Sequence, residues 1–186
     1  MNIMGHVDYA ALEHIGHELL VALDQDLSDE NLVDTPRRFA AFWKEFIEYS
    51  PGTVDATFES IVSDQLVVVS GMRVYSVCSH HLLPFWCDVS IGYLSSTRVL
   101  GLSKFARVAH FAAHRPQLQE RMVNEIADAI QALTGSEDVA VLGRGVHMCM
   151  LMRGIKTEGV MTTSIMRGKF RGEADLRQEF LSLATK

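Results

Sequence analysis

Apolar positions recur along the chain with two different periods, and the change between them divides it. In VDYAALEHIGHELLVAL, Leu12, Ile15, Leu19 and Leu23 fall three to four residues apart, the spacing of one helix face. Asp8 stands where an N-cap would accept from the first turn. DTPRRFAAFWKEFIEY predicts a second helix with Thr35 as cap and Pro36 at its first position. Its apolar face is Phe39, Phe42, Trp43 and Phe46, a stripe suited to core or subunit packing. From residue 64 the period shortens. DQLVVVSGMRVYSVC reads as two β segments around Ser70-Gly71, and CDVSIGYL as a third. GLSKFARVAHFAAHRP then begins a helix near Ser103 with Phe105, Val108, Ala109 and Ala112 on one side. Pro116 opens another, with Leu118, Met122, Ile126 and Ile130 buried and Gly135 as its stop. DVAVLGRG and VHMCMLMRG read as two further strands, MTTSIM as a short one, and EADLRQEFLSLA as a closing helix. This order predicts an α+β domain over residues 61–186, with two long helices on one face of an antiparallel sheet. An N-terminal helical extension over 1–60 precedes it.

Composition narrows the class without naming a function. The 186 residues are 48% apolar and 22% charged, the balance of an ordinary globular chain with a substantial core. A net charge of −6 argues against a general nucleic-acid surface. No apolar run approaches the roughly 20 residues that cross a bilayer, and MNIMGHVDYAAL lacks the layout of a signal peptide. Three cysteines are too few and odd in number for a disulfide scaffold, so a reducing cytoplasm is expected. There a cysteine gains weight as a metal ligand or catalyst.

The candidate chemistry starts at SVCSHHLLPFW. Cys78 and His81 have the C-x-x-H spacing that lets one turn aim a sulfur and an imidazole at a single metal ion, with His80 between them. In VHMCMLMRG, His147 and Cys149 are two apart and would share one face of a strand, which could bring Cys149 to the turn. The resulting Cys₂His set leaves a fourth position open, as catalytic zinc does. A lone Cys149 among methionines would most often be a small buried hydrophobe, and His80 and His147, each taken singly, ordinary hydrogen-bonded histidines; Cys87 reads as packing. LGLSKFAR adds an anion site: a helix start with Ser103 and Lys104, and Arg107 one turn on. Arg153, four residues past Cys149, would alternate onto the same strand face.

In order and spacing, TPRR, CSHHLLPF, VLGLSKFARV, RPQLQER and VHMCMLMRG resemble the signature segments of the GTP cyclohydrolase I family, from about residue 35 to the final EFLSL. The resemblance implies a tunnelling fold (T-fold) in a toroidal homodecamer with active sites between subunits. It implies conversion of GTP and water to 7,8-dihydroneopterin triphosphate and formate, the entry to folate, biopterin and deazaguanine routes. By the same resemblance Cys78, His81 and Cys149 are the Zn²⁺ ligands, and His80 and His147 the catalytic histidines. Gln119 and Glu120 hold the guanine. Ser103, Lys104, Arg107 and Arg153 surround the ribose and triphosphate, and Arg38 of TPRR reaches a neighbouring site. Zinc would activate a water for attack at C8, with His147 protonating N7 and His80 moving protons later. A buried Glu120 would accept from guanine N1–H and the 2-amino group, neither of which adenine offers.

Three departures accompany the likeness. Ser79 stands where many members have glutamate, Trp86-Cys87 where a small glycine is common, and Ser95 where proline often occurs. Other readings remain: a T-fold relative of the pyruvoyl-tetrahydropterin synthases, a cyclohydrolase that stops at a formamidopyrimidine, or a zinc-stabilised GTP-binding module without turnover.

Overall fold

The computed structural model describes residues 6–53, 57–60, 62–96 and 98–185, and the chain divides after Ser50 into two compact units. In the first, α1 (Tyr9–Ala22) is capped by the Asp8 carboxylate, which accepts the Ala11 N–H at 3.0 Å. α2 (Thr35–Ile47) takes Asp34 as its N-cap residue, so Thr35 and Pro36 both lie inside the first turn. The apolar face expected for α1 is not the buried one. Ile15 and Leu23 are 52% and 58% exposed, whereas Gly16 and Leu20 are buried. The reason is close approach: a Cβ at Gly16 would stand 3.1 Å from both the Phe39 ring and the Pro36 backbone. Contact with α2 therefore follows the glycine rather than the leucine stripe.

The second unit is built on a five-stranded sheet of β2 (Leu66–Cys78), β3 (Pro84–Leu94), β5 (Pro116–Gln117), β6 (Val139–His147) and β7 (Met161–Met166), in the order β5-β2-β3-β6-β7. Four strands are antiparallel; the two-residue β5 lies parallel to β2. The segment expected as two strands around Ser70-Gly71 is one, interrupted by a bulge between Val69 and Met72 where Gly71 takes φ +68°. A separate pair joins β1 (Thr57–Glu59) to β4 (Arg98–Leu100).

Alternation along β6 shows the two faces. Val139 and Val141 join the core under α3 (Leu102–Ala113) and α4 (Gln119–Thr134), with Phe105, Val108, Met122, Ile126 and Ile130. Ala140 and Leu142 face Phe170, in the short α6 (Lys169–Gly172), and Phe180 and Ala184 of α7 (Ala174–Ala184). Two long helices thus share one face as expected, and the closing helix covers part of the other. α4 begins at Gln119 rather than Pro116, because Pro116 and Gln117 pair with Val77 and Cys78 first. It ends as expected on Gly135, in the left-handed region at φ +69°. Among the described residues no helix is long and apolar enough to cross a membrane.

The packing under α7 is tight enough to test. A Cβ on Gly92 would stand 2.6 Å from the Phe180 ring, and Phe180 is fully buried edge-on to Phe170. Gly92→Ala should cost about 1–3 kcal/mol by overpacking and Phe180→Ala about 3–5 kcal/mol by cavity formation. Denaturant unfolding at one protein concentration checks both, with Gly135→Asn, which keeps a residue tolerant of positive φ, changing little.

Candidate active site

Three segments converge at one end of the sheet, and backbone pairing brings them there. β2 ends at Cys78, and the chain turns through Ser79–Leu83 into β3. Cys78 N–H donates to Leu83 O at 2.8 Å and Leu82 N–H returns to Cys78 O at 2.9 Å, with Leu82 at φ +52°. Pairing of Phe85 with His147 brings the end of β6 beside that turn. Pairing of Cys78 with Gln117, and the Ser79 N–H donating to Gln117 O at 3.0 Å, bring the start of α4 there too.

Cys78, His81 and Cys149 meet at this end, with one donor atom from each lying within 4.8 Å of the others. Among the described residues this is the one such cluster. Cys78 Sγ is 3.5 Å from His81 Nδ1. Tetrahedral zinc with ordinary Zn–S and Zn–N bonds holds neighbouring donors about 3.3–3.8 Å apart, a spacing the Cys78–His81 pair already has. Two thiolates and an imidazole also suit zinc chemically. Burial and the neighbouring Cys78 sulfur push the Cys149 thiol above its ordinary pKa, so binding would displace a proton from it. Cys87 is fully buried in β3 and its thiol is pushed up to about 12 by desolvation, an inert packing residue as expected.

The route to this cluster differs from the one the spacing suggested. DVAVLGRG and the start of VHMCMLMRG form the single strand β6, which stops at His147. Cys149 lies in a helical turn, α5 (Met148–Leu151), not on a strand. Strand alternation therefore does not place Cys149 beside His147, nor Arg153 beside Cys149. Arg153 lies past the end of α5, and its guanidinium lies against His81 Nε2.

The remaining residues fall into two groups. His147 is half-buried, stacked on Phe85 with centroids 4.4 Å apart, and its Nε2 is 2.9 Å from Gln119 Oε1. Desolvation holds its pKa below the usual imidazole value, and the Glu120 carboxylate pulls it partly back. Gln119 is 1% exposed. Its side-chain NH₂ approaches Gly143 O, Met161 O and Thr163 Oγ1 at 3.2, 2.9 and 3.0 Å. Glu120 is exposed in the first turn of α4, so the enclosure that base discrimination requires is not supplied around it by this chain. His80 is exposed on the turn, its ring 6.1 Å from that of His81.

On α3, Ser103 is exposed in the first turn, while Lys104 is only 8% exposed. Lys104 Nζ and Arg107 Nη1 both donate to Thr53 O, at 2.7 and 3.0 Å. Gly52, at φ +72°, makes room: a Cβ there would lie 2.9 Å from Arg107 Nη1. Arg38 stands on α2 in the first unit, exposed and 3.4 Å from Asp34.

Phe85 and the Thr53 carbonyl were not legible as site groups; neither carries a chemical signature, and only pairing and loop geometry reveal them. At Ser79, the hydroxyl lies 3.5 Å from Arg121 Nη2, whose stronger acceptor is Pro116 O at 2.7 Å. The guanidinium is thus held without a carboxylate at position 79.

The protein should bind one zinc per chain. Cys78→Ala and Cys149→Ala should each lose at least about tenfold in zinc affinity, while Cys87→Ala keeps stoichiometry and affinity. Competition with a chromogenic chelator measures both.

Comparison with known proteins agrees with this site. A family model described as GTP cyclohydrolase I matches residues 12–185. GTP cyclohydrolase 1 of Methylococcus capsulatus is 40% identical over 180 residues, covering 94% of this chain and 97% of that protein. The protein of the same name from Hyperthermus butylicus is 40% identical, with 93% and 89% covered. GTP cyclohydrolase 1 2 of Pseudomonas syringae pv. tomato is 43% identical, with 89% and 94% covered. With a Cys₂His cluster at the end of an α+β sheet and likeness along nearly its whole length, this chain belongs to the GTP cyclohydrolase I family.

Proposed function

We propose that this chain opens the imidazole ring of GTP at C8, releases formate and rearranges the remainder to 7,8-dihydroneopterin triphosphate. One observation carries the reading: a Cys₂His donor set gathers at the sheet end that also holds His147 and the start of α4. When bound by Cys78, His81 and Cys149, zinc supplies Lewis acidity and makes a water nucleophilic near neutral pH.

The chain's own groups do the rest. His147 protonates N7 of the guanine, which makes C8 electrophilic, and burial keeps the imidazole ready to give that proton up. His80, exposed on the metal turn, carries protons while the formyl group leaves and the sugar rearranges. Glu120 accepts from N1–H and the 2-amino group. The side chain of Gln119 is already engaged, so its share in holding the base falls to the amide N–H groups of the first turn of α4, which have no helical acceptor. Ser103 hydrogen-bonds the ribose. Lys104 and Arg107, aimed by the Thr53 carbonyl, and Arg153, beside His81, supply positive charge for the triphosphate. Arg38 adds charge to the site of a neighbouring copy.

Exposure of Glu120 supports a site completed by a second subunit, in the ring-shaped homodecamer implied by the family motifs. The thiol ligands favour a reducing compartment, the cytoplasm.

Zinc-loaded protein incubated with GTP should release formate and a dihydropterin in equal amounts, and Cys149→Ala should lose both. Bound GTP with neither product would contradict the reading; formate without pterin would limit it to ring opening. Glu120→Ala should lower kcat/KM for GTP roughly a hundredfold or more, from two hydrogen bonds to a charged acceptor.

A further inference from the structure

His147 is gripped from two sides. Phe85 stacks on the ring, 12° from parallel, and the amide oxygen of Gln119 lies 2.9 Å from Nε2. Which end of that amide faces His147 is settled by what lies behind it. The Gln119 nitrogen is within 3.2 Å of two main-chain carbonyl oxygens, Gly143 O and Met161 O, and of Thr163 Oγ1. Carbonyl oxygens only accept, so the NH₂ must face them. Turning the amide over would set oxygen against two oxygens at a site that is 1% exposed and leave buried polar groups unpaired. Gly145 makes this arrangement possible. A Cβ there would overlap Gln119 Oε1, at 2.1 Å, and stand 3.1 Å from Trp86 O.

The amide oxygen that faces His147 can accept a hydrogen bond but not donate one. The imidazole must therefore donate through Nε2, in its neutral and its cationic form alike. Only Nδ1 is left to gain or lose a proton.

We infer that Gln119 is a positioning residue that locks His147 in its Nε2–H tautomer, while Phe85 fixes the ring plane, so that Nδ1 is the nitrogen that exchanges protons with the substrate base. The chain of constraint runs from the β6–β7 carbonyls through one buried amide to a ring nitrogen. It assigns Gln119 to the histidine rather than to the guanine edge. The catalytic consequence rests on the proposed role of His147; the tautomer itself does not.

The direct readout is magic-angle-spinning ¹⁵N NMR of histidine-labelled, zinc-loaded protein, at a pH where His147 is neutral. The His147 signals are identified as those missing from His147→Asn. A protonated Nε2 and an unprotonated Nδ1 are expected. Gln119→Met, similar in size and without an acceptor oxygen, should release the lock and show the Nδ1–H form or a mixture. Its kcat should fall about a hundredfold, within the range of a displaced general acid, with KM for GTP nearly unchanged. A wild-type Nδ1–H signal overturns the inference, and so does a folded Gln119→Met protein that keeps a pure Nε2–H signal. A raised KM at unchanged kcat would likewise overturn it, by placing Gln119 on the substrate. Should Gln119→Met fail to fold, the wild-type spectrum still decides. Because that spectrum is read without turnover, an Nε2–H signal in a protein that makes no formate would sink the proposed reaction and leave the tautomer assignment standing.

Discussion

Strand register is the constraint on which the site depends. Phe85 faces His147 across one ladder, and Cys78 faces Gln117 across another. Side chains alternate with period two, so a slip of one residue in either ladder would turn His147 or Cys78 to the opposite face. What prevents the slip is burial remote from the chemistry. Val139 and Val141 on one face and Ala140 and Leu142 on the other are all buried, under α3 and α4 and under α6 and α7 respectively. Neither face can move to the other without exposing apolar surface, at about 25 cal/mol for each Å². The two-residue β5 is the less protected joint. It is short, but Gln117 is fully buried, and its side-chain amide donates to Ala112 O at 2.9 Å and to Glu125 at 2.9 Å.

The candidate site residues stand in two kinds of environment, and those that start α3 follow Leu100, which bonds Tyr93 at the opposite end of β3 from Phe85. Cys78, Lys104 and Gln119 are buried, and each of the two polar side chains among them is oriented by main-chain carbonyls: Thr53 for Lys104, and Gly143 and Met161 for Gln119. His80, His81, Ser103, Glu120 and Arg153 are exposed. The buried set is preorganised, which keeps rotamer freedom from blurring the geometry that acid–base chemistry requires. The exposed set is the part that substrate and a neighbouring copy would cover on the proposed account.

Much of this was legible in the sequence, where chemistry is concentrated in few residues. Cys78 and His81 are joined by a turn, so spacing alone brings them together. Gly135 and Asp8 announce helix ends through their own backbone and side-chain chemistry. Cys149 was picked correctly by residue type but through the wrong local structure, since a strand and a helical turn both bring residues near one another at short spacing. The buried face of α1 was misplaced because hydrophobicity favours leucines, whereas the approach of α2 favours Gly16, which has no hydrophobic side chain to count. Gln119 stands out in the sequence through RPQLQER, but its geometry does not. Its partners lie 24 to 44 residues away on β6 and β7, and no local pattern encodes which of them a buried amide will meet.

The central claim is that Cys78, His81 and Cys149 hold a metal with one position left open. X-ray absorption at the zinc edge of the metal-loaded protein tests it most directly. The account predicts two sulfurs at about 2.3 Å, one imidazole nitrogen at about 2.0 Å and one light, exchangeable oxygen neighbour. A shell closed by four protein ligands, or one containing a single sulfur, would contradict it.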